Sequence, residues 1–256
     1  MKWILKIADA IGAVVNWFKG KFGKKPCTSS GFTTQPPSSV KNVPEEETMT
    51  ETPKLAEFNR HRIITDKEFI NTPADFNIET FLKRYNSFLI GYSCLIGDNT
   101  PKTAIEAIKE AGEYVSERVI VVQLEKEMGL IRMQSIPSAN RLKWAMGYGV
   151  DDGAPAEWLC STTGVYKQIV SAAKSMRKRF DETAEDFIGK NISEDFISKY
   201  DKVKDGIVLP ENKATVCLYA YTPWVGERDQ IIGKFKYTAP FGNKLFWEIW
   251  QKFFCM

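Results

Sequence analysis

The stretch Val119-Ile-Val-Val-Gln-Leu-Glu-Lys-Glu127-Met-Gly129-Leu-Ile131 decides how the chain folds. Ser116 ahead of it is a helix-starting residue type and Gly129 behind it a helix-ending one, so the apolar run predicts a helix carrying acidic side chains to its own end. Projected at about 100° per residue, Glu127 aligns with Ile120, Leu124 and Ile131, whereas Glu125 aligns with Val121, Val122 and Met128, so both carboxyl groups flank the apolar face. Position separates them. Glu127 falls in the last turn, at the negative end of the helix dipole and beside Met128, Leu130 and Ile131, a setting expected to favour the neutral acid. A carboxyl group of that kind can act as a general acid.

Working outward, the pattern is that of a mainly α protein. Asn77 to Tyr85 places Ile78, Phe81 and Leu82 on one face. Thr100-Pro101 reads as an N-cap and first-turn proline, opening a helix with Ile105 and Ile108 that closes at Gly112. Thr162 and Thr163 precede a long amphipathic stretch with Tyr166, Ile169, Val170, Ala173, Met176 and Phe180, and its Lys174, Arg177, Lys178 and Arg179 read as a solvated helix end. Asn243 is the expected cap of a helix whose Leu245, Phe246, Ile249, Trp250 and Phe253 form a core stripe.

The amino end differs in kind. Residues 1–24 set Ile4, Ile7, Ile11, Val14, Val15, Phe18 and Phe22 at helical spacing, interrupted by Lys2, Lys6, Asp9 and Asn16. That predicts an amphipathic anchoring helix, since a membrane span needs about 20 apolar residues and a secretory signal a continuous apolar core. With Trp3, Trp17 and the cluster Lys19, Lys21, Lys24 and Lys25, it suits a membrane surface, a groove on a larger assembly such as a virion protein, or its own domain. Residues 25–60, rich in Pro, Ser and Glu, read as a linker, and 61–256 as one folded domain.

Composition narrows the chemistry. The chain of 256 residues carries 35 basic and 32 acidic side chains, a balance with no footprint for nucleic acid. Five scattered cysteines without a C-x-x-C pair are expected to be free thiols, and the single histidine, His61, leaves no His-rich zinc site. No metal or organic cofactor is implied. The remaining chemistry is a lone carboxyl group suited to protonating a glycosidic oxygen.

The stretch around Glu127 resembles the glutamate-bearing helix of lysozyme-like peptidoglycan glycosidases, the lytic transglycosylase and glucosaminidase group of wall hydrolases, phage lysins and virion enzymes. Met128 stands where that family usually has a small residue. Further segments resemble the same group in the same order over residues 77–254: Phe81 to Gly91 its opening helix, Lys143 to Gly153 its glycine-rich loop, Gly164 to Ile169 its next helix start, Ala214 to Val225 its tyrosine-bearing segment, and Gly242 to Trp250 its closing helix.

The resemblance implies an α+β lysozyme-like catalytic domain that cuts β-1,4 bonds between amino sugars of the bacterial cell wall, in a virion or at the host envelope. It implies Glu127 as general acid, Tyr221 as a catalytic partner that orients it or the substrate, and Trp144, Tyr148, Gly149, Gln168, Tyr219, Thr222 and Trp224 as residues that bind the glycan strand. Asp152 or Asp151 could supply a second catalytic carboxylate, whereas the family's usual expectation is the substrate's own N-acetyl group or 6-hydroxyl in that place. Trp144 and Tyr148 suit stacking on a pyranose face, although a simple turn, and core packing for Tyr219 and Tyr221, are the plainer readings. Two other classes stay open: a catalytically silent binding or structural protein on the same fold, motivated by Met128, and a membrane-active protein whose effector is residues 1–24.

Overall fold

The computed structural model describes residues 57–95, 100–149, 163–194, 202–232 and 235–255. The chain divides into two compact units, Met1–Ala56 and Glu57–Met256, and every described residue belongs to the second. The anchoring helix expected over 1–24, and the linker as far as residue 56, lie outside the described residues.

The second unit is mainly helical. Its described helices are α1 (Asp66–Ile70), α2 (Ile78–Arg84), α3 (Ala104–Ala111), α4 (Glu117–Met128), α5 (Ala139–Lys143), α6 (Val165–Glu182), α7 (Lys213–Tyr221) and α8 (Gly242–Phe254). Among the described residues strand is confined to two short antiparallel hairpins. In one, β1 (Ser93–Leu95) pairs with β2 (Pro101–Thr103), Cys94 opposite Lys102; in the other, β3 (Gln230–Ile232) pairs with β4 (Phe235–Tyr237), Ile231 opposite Lys236.

Helix α4 is the axis of the core. Seven consecutive residues, Val119 to Glu125, are buried, so this part of the helix is enclosed on every side, Gln123 and Glu125 included. It packs against α3 and α8, while α6 packs against α3 and α7. At its start the Arg118 guanidinium stacks on the rings of Trp250 and Phe254, 4.6 and 4.0 Å from their centroids, which ties the end of α8 to the beginning of α4. At its end Gly129 adopts φ 65°, ψ 31°, its N–H bonds the Glu125 carbonyl at 2.9 Å, and Leu130 and Ile131 turn back into the core.

Two helix starts differ from expectation. Helix α3 opens at Thr103, not Thr100, because Thr103 and Glu106 form a reciprocal capping box. The Glu106 N–H donates to Thr103 Oγ1 at 3.0 Å and the Thr103 N–H to Glu106 Oε2 at 2.7 Å. Two donors are satisfied there, which releases Pro101 to β2. Helix α8 has Phe241 at its N-cap; Asn243 is buried inside the helix, and its Nδ2 donates to the carbonyls of Thr222 and Trp224 at 2.8 and 3.1 Å. Helix α6 follows Gly164 at φ 94°.

The basic run on α6 is solvated in part: Arg177–Asp181 at 2.7 Å and Lys178–Glu182 at 3.9 Å are surface pairs, whereas Arg179 is half-buried and burial lowers its pKa. Cys94, Cys217 and Cys255 are free thiols, and burial pushes Cys217 up to about 12. His61 Nδ1 accepts the Leu209 N–H at 2.9 Å, a structural use of the single histidine. Among the described residues no helix is long and apolar enough to cross a membrane.

Two glycines with positive φ separate backbone strain from collision. A methyl group at Gly129 meets nothing within 4 Å, whereas at Gly226 (φ 84°) it would lie 1.7 Å from the Phe241 carbonyl oxygen. Urea unfolding is therefore expected to show a loss of about 1 kcal/mol for Gly129→Ala, the cost of a left-handed alanine. Gly226→Ala should cost several times more, because the Phe241 backbone must move.

Candidate active site

The end of α4 sorts the two carboxyl groups that helical projection leaves together. Glu125 turns inward and serves the chain itself. Its Oε2 accepts the N–H groups of Ile131 and Arg132 at 3.0 and 3.3 Å, and its Oε1 accepts Arg132 Nε at 2.5 Å. With its side chain only 3% exposed, Glu125 staples the turn after Gly129. Glu127 is left at the rim with its side chain 26% exposed.

The surroundings of Glu127 are not the apolar ones expected. Lys126 Nζ lies 2.8 Å from Glu127 Oε1, and the Lys126 side chain is 3% exposed. The same ammonium donates to Thr222 Oγ1 at 2.6 Å and sits 5.7 Å from the Tyr221 ring centroid. Glu127 Oε2 points the other way, towards Gly147, where an added Cβ would stand 3.2 Å from that oxygen. One carboxyl oxygen is thus held by a cation and the other faces a glycine backbone.

That backbone belongs to the loop after α5, and it is held by amides and a phenol. Gly147 and Gly149 take φ of 67° and 71°, conformations open to glycine at little cost. Buried Gln168 on α6 accepts the N–H groups of Met146 and Tyr148 on its Oε1, at 3.2 and 3.0 Å, and donates from Nε2 to the Tyr148 carbonyl at 2.8 Å. Tyr221, at the end of α7, donates its hydroxyl to the Met146 carbonyl at 2.5 Å. Burial, then the Glu127 charge and then Tyr148, push this phenol well above its ordinary range, so it stays a neutral donor.

The structure therefore brings Glu127, Tyr221, Thr222, Gln168 and the Gly147 backbone into one neighbourhood. Gln168 and Tyr221 face the loop as its supports. Thr222 reaches Glu127 through Lys126. Trp144, Tyr148 and Gly149 are half-buried along the loop, with Lys143 Nζ 5.0 Å from the Trp144 ring centroid. Trp224 is half-buried against Phe241, ring centroids 5.7 Å apart, with Lys204 Nζ 5.5 Å from its centroid.

Tyr219 takes the plainer place: it is fully buried in the core, where burial raises its hydroxyl far above the usual range. Asp151 and Asp152 lie outside the described residues.

Lys126 is the member that sequence reasoning missed. Side chains one residue apart on a helix do not face each other, so periodicity carries no sign of the pair. Among the described residues no group of three or more His, Cys, Asp or Glu side chains is placed to hold a metal. A shallow depression lined by His61, Ile188, Gly189, Leu209, Pro210 and Glu211 shares no residue with this neighbourhood. Comparison with known proteins finds no matching family model, no matching curated protein and no matching solved structure.

Gln168→Leu keeps the volume and removes all three bonds to the loop. The loss of stability is expected to reach about 1–3 kcal/mol, the penalty for buried backbone groups left unpaired. Amide exchange at Met146 and Tyr148 should speed up while amides of α4 stay protected; unchanged rates at both positions would contradict the clamp.

Proposed function

We propose that the chain is a peptidoglycan glycosidase on a lysozyme-like α+β fold, with Glu127 as the acid that protonates the glycosidic oxygen between amino sugars. The observation that carries this reading is the arrangement at the end of α4. A rim carboxyl group turns one oxygen to a positive-φ glycine backbone while its other oxygen is fixed. Gly147 lets the Glu127 carboxyl lie close against the loop backbone, and half-buried Trp144, Tyr148 and Trp224 offer apolar faces for sugars.

In the reaction, Glu127 gives its proton to the bridging oxygen as the bond to the anomeric carbon breaks, leaving an oxocarbenium-like centre. A carboxylate about 6.5 to 9.5 Å away would activate water for inversion, and one about 5 to 5.5 Å away would trap the centre directly. Asp152 is the candidate in this chain; the substrate's N-acetyl group or 6-hydroxyl is the other source. Neutral Tyr221 holds the Met146 carbonyl, and so the loop that the sugar would meet. In this reading the protein acts on glycan strands in a virion-borne or lysin context, with residues 1–24 anchoring it to a virion protein or a membrane surface.

A second reading is favoured by the Lys126–Glu127 pair, together with Met128. An ion pair satisfies both charges without any chemistry, as in a silent cell-wall-binding or virion protein on the same frame. Digestion of purified peptidoglycan, followed by mass analysis of the fragments, separates the two. The glycosidase reading expects fragment release by the unsubstituted chain and a loss of about a hundredfold or more in Glu127→Gln. Full activity in Glu127→Gln would remove Glu127 from the mechanism. Co-sedimentation with peptidoglycan and no fragments from either protein would establish the silent reading.

A further inference from the structure

We propose that Lys126 is a positioning residue of this site, a buried countercharge anchored on Thr222 that determines which oxygen of Glu127 is turned to the Gly147 loop. Lysine is almost never fully enclosed unless paired, and Lys126 at 3% exposure has two oxygen partners, Glu127 Oε1 at 2.8 Å and Thr222 Oγ1 at 2.6 Å. Neighbouring side chains on a helix diverge, so this pair exists because the end of α7 draws the ammonium across.

The anchor is itself held. Thr222 ends α7, and its carbonyl accepts Asn243 Nδ2 at 2.8 Å, so the position of the cation is passed from α8 through the end of α7 to α4. Among the described residues, the other charged and titratable groups nearby have partners of their own. Glu125 is committed to Arg132, Arg141 donates to the Met128 carbonyl at 3.4 Å, Tyr221 is a neutral donor to Met146, and Tyr148 is bound through its backbone to Gln168. With Oε1 occupied, Oε2 is the oxygen left to meet a ligand. The catalytic meaning of this placement rests on the glycosidase reading; the placement itself does not.

The test reads the side-chain carboxyl carbon of Glu127 and the Gly147 amide by NMR in the full chain at one pH, the carboxyl signal being the one missing from Glu127→Gln. Lys126→Met, which keeps length and removes charge, should move both signals and weaken the contact between the Glu127 side chain and Gly147. Lys126→Arg should move them less, and Thr222→Val, which frees the ammonium without removing it, should move them by a smaller step than Lys126→Met. A folded Lys126→Met whose two signals and contact overlay those of the unsubstituted protein overturns the proposal. Should Lys126→Met fail to fold, overlaying Thr222→Val signals do the same. Because no turnover is read, an inactive chain leaves this test intact, and moved signals without glycan cleavage would defeat the glycosidase reading alone.

Discussion

Enclosure of α4 is the constraint on which the rest depends. A helix with buried residues on every side needs neighbours all round, and α3 and α8 supply them along its length. Complete enclosure also means that polar groups can leave the core only at the helix ends. Glu127 does so at the finish, with Lys126 enclosed beside it as its countercharge, while at the start Arg118 stacks on the rings of Trp250 and Phe254 with its Nε buried. Gln123, midway along, has no such exit: its side-chain amide is buried without a partner among the described residues, an expense of about 1–3 kcal/mol that the surrounding packing must offset.

The two glutamates at the end of α4 show how little separates a structural carboxylate from an available one. They lie two residues apart, and both border the apolar face. Glu125 meets the chain as it turns back after Gly129 and is consumed by two backbone N–H groups and Arg132. Glu127 points past that turn to a different segment, the Met146–Tyr148 loop, whose own amides are already taken by Gln168. Among the described residues, what leaves an oxygen of Glu127 to the loop is thus the prior pairing of the groups around it.

Much of this frame is legible in the amino-acid sequence. Ser116 and Gly129 bound α4 as their residue types imply, and the apolar spacings mark α2, α6 and α8 because burial imposes helical periodicity directly. Helix starts were less legible where residues compete: Thr103 with Glu106 satisfies two donors and displaces Thr100, and Asn243 is drawn from capping to bridging Thr222 and Trp224. At the site, Glu127 could be singled out by its place in the last turn. The roles of Gln168 and Lys126 could not, because each depends on partners 20 and 96 positions away in the chain, and local pattern carries no information at that range.

The loop clamp has a consequence of its own. Among the described residues, the groups that Gln168 clamps are backbone amides and a carbonyl, which neither gain nor lose a proton between strongly acidic and mildly alkaline solution. Tyr221, a phenol kept neutral, extends the same indifference. Neutral dipoles therefore hold the shape of the loop, while the charges beside it are carried by a separate ion pair, Lys126 and Glu127.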